Sequence, residues 1–285
     1  MEIKTWKLWM HFCIYFLCFV VGGTIAVIPR FIVGFENESG LLVFVSELLR
    51  IPISIALLYF YTKYISRIPI NKESLSVSSF NPLKWGFIGV LLPVAVLSIF
   101  YILGNFTIVS TNFQINQERA LDIILKALGM SLAAGIVEEI VFRGYLVNLL
   151  AKKYSFWVAG LIPSFLFTII HIGAASQSLL NVFQLLLAGI LVSIMFLVIY
   201  KKTGSIWNAS IVHFLWNFLF LQEFVDYGSG NKPEYKLIQI DLGTSDILTG
   251  GAFGLDVSLP AIIIYTITLI ISWKFIKAKT VNNKI

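Results

Sequence analysis

Long apolar runs dominate the chain, and short polar segments separate them. A membrane-spanning helix needs about 20 apolar residues. Eight runs approach or exceed that length, at 8–28, 41–61, 85–103, 121–150, 156–172, 180–200, 206–224 and 258–276. The pattern predicts an all-α, polytopic membrane helix bundle of about eight transmembrane helices. The fourth run is too long for one straight span, so we expect a tilted, partly water-exposed helix or a short amphipathic helix leading into a span.

The composition excludes soluble and disordered proteins. Hydrophobic residues make up 58% of the chain and charged residues 13%, whereas soluble domains average about 25% charged. Disorder requires low hydrophobicity and high net charge. The net charge of +6 does not indicate a nucleic-acid partner, because the basic residues are scattered between apolar runs. Both cysteines lie in the first run, which indicates neither a disulfide framework nor a thiolate metal site.

The distribution of basic residues predicts the orientation of the bundle. Fourteen of the 21 Lys and Arg residues fall on one side of the predicted spans and four on the other. The positive-inside rule places the richer side, with both termini, in the cytoplasm. The first run is longer than the core of a signal peptide and no A-x-A-like site follows it, so we expect an uncleaved span. The chain is therefore predicted to be a multi-pass protein of the cell membrane.

Ionisable residues inside apolar spans are costly and point to function. On a helix, Glu139 and Arg143 are four positions apart and share a face, which suits an ion pair. Glu138 projects about 100° away from Glu139 and is left without that partner. From this segment alone, Glu138 is equally well interpreted as a general base or as a spare carboxylate beside a buried salt bridge.

Histidine placement changes that balance. His171 ends the fifth span, and His213 and Asn217 share a face of the seventh. At 1.5 Å per residue, these three and Glu138 lie about 15 to 26 Å from the turns that end spans four and six. One polar cavity can therefore hold all four side chains. His11 stands alone in the first span, and we interpret it as a packing residue.

Two chemistries fit such a cavity. Glu138, His171 and His213 can bind Zn²⁺ with one position open for water. Without metal, Glu138 and His171 would activate a water, while His213 and Asn217 would donate hydrogen bonds to the oxyanion formed in peptide hydrolysis. We slightly prefer the second, because asparagine is a poor zinc ligand and a good amide donor. The chain has neither an H-E-x-x-H motif nor a G-x-S-x-G nucleophile elbow.

Three motifs resemble those of the CPBP family of intramembrane proteases. They occur in order, as Glu138-Glu139-x-x-x-Arg143, Phe167-x-x-x-His171 and His213-x-x-x-Asn217. The family includes the type II CaaX prenyl endopeptidases, bacteriocin-processing proteins, abortive infection proteins and proteins like lysostaphin-resistance protein A. The resemblance covers about 121–224 and is best from 134 to 217. The glycine-rich stretch 248–256 also resembles one that precedes the last helix of bacterial members.

The resemblance implies an eight-helix membrane endopeptidase with its site in an intramembrane cavity. It implies that Glu138 is the water-activating base, that His171, His213 and Asn217 complete the site, and that Glu139 and Arg143 support it. The family has been described both as metalloproteases and as metal-independent glutamic proteases, so a Zn²⁺ cofactor held by Glu138, His171 and His213 stays open. We expect a peptide or membrane-associated protein as substrate, rather than a prenylated protein, and the lipid bilayer as surroundings.

The resemblance also divides the chain. We predict N-terminal transmembrane helices over 1–120, a catalytic core over 121–224, and an external glycine-rich loop with the last transmembrane helix over 225–285. Two rivals compete with a protease. The first is a non-catalytic membrane immunity or scaffold protein that binds a bacteriocin or a sensor kinase. The second is a small transporter that uses Glu138 as a proton site.

Overall fold

In the part of the chain that the structure describes, eight helices of 14 residues or more make up the bundle. The structure, a computed structural model, describes residues 3–71, 74–111, 117–172, 178–220, 225–227 and 237–275. The helices are α1 (Thr5–Val33), α2 (Gly40–Phe60), α3 (Pro82–Ile102), α4 (Glu118–Leu150), α5 (Phe156–Ile169), α6 (Leu179–Thr203), α7 (Trp207–Phe220) and α8 (Leu259–Phe275). Each predicted span corresponds to one helix; residues 221–224 and 276 of the last two spans lie outside the described residues. The prediction of an all-α, polytopic membrane bundle is confirmed.

The helices differ in length. Among the described residues, five are long and apolar enough to cross a membrane: α1, α2 with its π-helical extension Tyr61–Ser66, α3, α4 and α6. Helix α5 has 14 residues. At 1.5 Å per residue it is about 21 Å long, shorter than a hydrocarbon core of about 30 Å. A helix can end at membrane depth only where protein or a cavity satisfies its backbone groups.

Large apolar side chains cover the outside of the bundle. Phe31, Ile102 and Leu179 are 73%, 80% and 91% exposed. Such a surface suits a lipid environment, where apolar side chains need not be buried inside the protein. The prediction of a multi-pass membrane protein is confirmed.

Helix α4 is the central element. It is one continuous helix of 33 residues, which decides between the two arrangements expected for the fourth run. It widens into π-helical turns over Ala134–Glu138 and Ile140–Val147, on either side of Glu139. Such π-helical insertions are rare and frequently occur at functional sites. Its second half packs against α1, α2, α5 and α7.

A small sheet caps one end of the bundle and was not foreseen. Its strands are β1 (Thr107–Thr111), β2 (Val225–Asp226) and β3 (Ile238–Asp241), in the order β1-β3-β2. Strand β3 pairs antiparallel with β1 and parallel with β2. The sequence pattern missed the sheet because its strands are short and β1 pairs across more than 100 residues of chain. Buried residues of the sheet share one core cluster with α3, α6, α7 and α8.

Candidate active site

A cavity of about 350 Å³ lies among α4, α5, α6, α7 and the segment before α8. The four side chains predicted to share one layer all line it: Glu138, His171, His213 and Asn217. They come from α4, from the residues after α5, and from α7. The rest of the wall is largely apolar, with Leu185, Val192 and Phe196 of α6 among its members.

Glu139 lies behind the cavity wall and is fully buried. The predicted ion pair with Arg143 is confirmed, since Arg143 donates to Glu139 Oε1 over 2.8 Å. His213 Nδ1 lies 3.1 Å from the same oxygen. A carboxylate accepts only, so the Nδ1 hydrogen must be on His213. Glu139 therefore orients His213 and balances the charge of Arg143.

Arg143 connects α4 to α6. Its guanidinium lies between the rings of Phe167 and Phe196, 5.7 and 5.4 Å from their centroids, and donates to the Ser193 carbonyl over 3.1 Å. His213 stacks on Phe196 at a centroid separation of 5.0 Å. These contacts join α4, α5, α6 and α7 around the Arg143 and His213 side chains.

The carboxylate of Glu138 points into the cavity, and its side chain is 14% exposed. Its Oε2 lies 3.8 Å from His213 Nε2, which is too long for a hydrogen bond. Because the hydrogen of a neutral His213 is on Nδ1, its Nε2 carries a lone pair toward the cavity. As expected, it is Glu139 and not Glu138 that forms the ion pair with Arg143.

His171 is held by its own chain. Its Nδ1 lies 2.6 Å from the Phe167 carbonyl oxygen, so Nδ1 must donate the hydrogen bond. In the neutral ring, Nε2 then carries the lone pair. The side chain is exposed to the cavity rather than packed in the core. By contrast, His11 is buried and bonds the Tyr61 hydroxyl over 2.6 Å, outside the cavity, as its interpretation as a packing residue predicts.

Asp256 was not identified as a site residue from the sequence, yet it lines the cavity. Its Oδ1 accepts a 2.8 Å hydrogen bond from Trp216 Nε1, and Trp216 also lines the cavity. The one available signal was the glycine-rich stretch that Asp256 ends. Hydropathy places Asp256 only in the predicted external glycine-rich loop.

The side chains do not fit the suggested zinc site. Among the described residues, no three His, Cys, Asp or Glu side chains converge closely enough to hold a metal ion. Two of the three suggested ligands, Glu138 and His213, lie 3.8 Å apart. The third, His171, does not form a three-ligand metal site with them. We therefore derive no step through a metal.

Comparison with known proteins gives one match. The family model described as type II CAAX prenyl endopeptidase Rce1-like matches residues 120–219, a little over a third of the chain. The matched region contains Glu138, Glu139, Arg143, His171, His213 and Asn217, and it ends before Asp256. No curated protein and no solved structure gives a significant match.

Proposed function

Because the family model described as type II CAAX prenyl endopeptidase Rce1-like matches residues 120–219, we propose that this chain is an intramembrane protease of the CPBP family and hydrolyses peptide bonds within the cavity. The family implies a membrane protease in general. The observation that carries the specific proposal is the convergence of Glu138, His171, His213 and Asn217 on one cavity. The substrate is a peptide or a membrane-associated protein.

Glu138 is the general base in this proposal. The 3.8 Å between Glu138 Oε2 and His213 Nε2 leaves room for a water bonded to both atoms. Glu138 takes a proton from that water as its oxygen attacks the carbonyl carbon of the peptide bond, and this proton is delivered to the amine nitrogen as the C–N bond breaks. The lone pair of His171 Nε2 is available as a second acceptor on the cavity surface.

The oxyanion requires hydrogen-bond donors. The Asn217 amide donates in any protonation state. His213 can donate through Nε2 only as the imidazolium, because its Nδ1 hydrogen is already directed at Glu139. The proton that Glu138 takes from the water can pass to Nε2 before it reaches the amine, and the Glu139 carboxylate beside Nδ1 balances the charge of that imidazolium.

We also propose a reaction that needs no metal. The absence of a three-ligand cluster among the described residues supports this. Elemental analysis of the purified protein checks it. Stoichiometric zinc whose removal abolishes cleavage, and whose return restores it, would contradict the proposal.

The test of function is Glu138→Gln, which keeps the shape of the side chain and removes the base. We expect proteolysis to fall by about 10²- to 10⁴-fold, the usual contribution of a general base. Because the substrate is unidentified, the readout is membrane proteomics of newly formed protein N-termini in cells with the wild-type or the variant chain. Peptides present only with the wild type also identify the substrate.

The matched control is Glu118→Gln, the same change at an exposed position in the first turn of α4. It should leave the N-terminal peptides unchanged. Thermal unfolding in detergent verifies that both variants are folded. A folded Glu138→Gln protein with full proteolysis would refute the mechanism, and loss of proteolysis with an intact biological phenotype would favour a scaffold.

A further inference from the structure

Asp256 brings a second acidic side chain to the cavity. It lies in the short 3₁₀ turn Leu255–Val257 that leads into α8, outside the residues that the family model matches. Asp256 Oδ1 accepts the hydrogen bond from Trp216, and no described residue forms a hydrogen bond with Asp256 Oδ2. Trp216 lies three positions after His213 on α7, so it holds Asp256 near the face that carries His213. One carboxylate oxygen therefore remains available to a ligand.

The backbone before Asp256 presents it at a defined position. Gly250 and Gly254 have φ angles of +81° and +80°, a region that other residues rarely adopt. The Gln184 amide donates to the carbonyls of Ile247 and Val257 over 3.0 and 3.3 Å, which fastens this segment to α6. Asp256 is thus held on both sides, and its position does not depend on a free loop.

The charged side chains that line the cavity are all acidic. Glu138 and Asp256 are the acidic residues of its lining, and none of the described lining residues is Lys or Arg. The nearby Arg143 cation is already paired with Glu139. His171 has to be neutral to accept a proton. Asp256 is exposed and borders the cavity, so a cationic ligand there can reach its carboxylate.

We propose that Asp256 is a substrate-binding residue whose carboxylate selects peptides with a basic side chain, Lys or Arg, among the residues that occupy the cavity. The inference rests on the proposed function of the same cavity. The apolar wall accepts the neighbouring uncharged side chains, and the free Oδ2 accepts a hydrogen bond from the ammonium or guanidinium group. A charge-assisted pair of this kind changes affinity by about 10- to 100-fold.

Binding is measured first, in the full-length Glu138→Gln protein in detergent, so that no cleavage interferes. The probes are dye-labelled, end-blocked pentapeptides of sequence Ala-Leu-X-Ala-Leu, with Lys, Gln or Glu at X. By fluorescence anisotropy we expect the Lys peptide to bind about 10- to 100-fold more tightly than the Gln peptide. Adding Asp256→Asn should remove that preference, while its amide oxygen still accepts from Trp216.

The matched control is Asp246→Asn in the same background, which removes one exposed carboxylate from the same segment away from the cavity lining. It should keep the Lys preference. Equal affinities for the Lys and Gln peptides, no measurable binding of the Lys peptide, or a preference that survives Asp256→Asn would each overturn the inference.

Cleavage separates this inference from the proposed function. With Glu138 intact, Asp256→Asn should lower the ratio of kcat/KM for the Lys peptide to that for the Gln peptide by about 10- to 100-fold. An unchanged ratio with an inactive Glu138→Gln protein rejects the role of Asp256 alone. Cleavage that persists in Glu138→Gln rejects the proposed function. Equal losses on both peptides would instead make Asp256 a general acid and overturn its role in selection.

Discussion

Glu139 accepts hydrogen bonds from Arg143 and His213 at a single oxygen, Oε1, in a fully buried position. Its other oxygen, Oε2, is buried and has no hydrogen-bond partner among the described residues. Removing water from this pair is costly, and the pair is stable only because each charge has the other close by. Glu139 thus stabilises the bundle through its ion pair with Arg143, and it orients His213 in the cavity.

Glu139→Gln tests that dual role. The variant leaves the Arg143 cation buried without an opposite charge, so we expect a loss of about 3–5 kcal/mol in the free energy of unfolding. The double variant Glu139→Gln/Arg143→Met should recover part of that loss, because no unpaired charge remains. Reversible unfolding in detergent gives both values. A single variant as stable as Glu118→Gln would show that the pair does not stabilise the bundle.

At the scale of elements, the contact between α4 and α7 sets the distance across the site. A Cβ on Gly135 would lie 2.8 Å from Phe214 N and 2.9 Å from the Ser210 carbonyl oxygen. The lack of a side chain at Gly135 therefore allows this close approach of the two helices. Glu138 lies one turn along α4 and His213 one residue before Phe214, so this contact controls the 3.8 Å between their side chains.

Gly135→Ala should separate these helices. We expect about 1–3 kcal/mol of destabilisation from overpacking and at least tenfold slower proteolysis. Gly86→Ala in α3 is the matched control, because its Cβ would meet only flexible side-chain atoms, the closer at 3.5 Å. That change should be neutral or stabilising by up to about 1 kcal/mol through helix propensity. Equal proteolysis and stability in the two variants would count against the contact as a spacer.

The length of α5 also matters at this scale. It is too short to span the hydrocarbon core, and it ends just before His171. Hydropathy predicts a full span at 156–172, because apolar residues continue past the end of this helix. Apolar composition measures preference for the membrane, whereas the hydrogen bonds that end a helix depend on what it packs against.

For the whole molecule, orientation follows from charge and remains a prediction. The N-terminal end of α6 and the segment around Asp246 fall on the predicted external side, with Lys152 on the cytoplasmic side. In a Cys13→Ser/Cys18→Ser background, a membrane-impermeant maleimide should label Asp246→Cys in intact cells. Lys152→Cys should react only after permeabilisation. The reverse pattern would place both termini outside.

The sequence alone determined those features that depend on neighbouring residues. Apolar runs located all eight helices, and helical periodicity predicted the Glu139–Arg143 pair. Depth along each helix predicted that Glu138, His171, His213 and Asn217 lie in one layer, and all four line one cavity. These results need only local hydropathy and the geometry of a regular helix.

Only the tertiary structure decided what distant segments do to one another. Glu139 forms a hydrogen bond with His213, 74 residues away, and this bond fixes the ring hydrogen of His213 on Nδ1. Trp216 forms a hydrogen bond with Asp256, 40 residues away. The capping sheet and the π-helical turns around Glu139 are likewise absent from the hydropathy pattern. The physical reason is that hydrogen bonds are short-ranged and directional, so they are specified by the packing that brings their partners within about 3 Å.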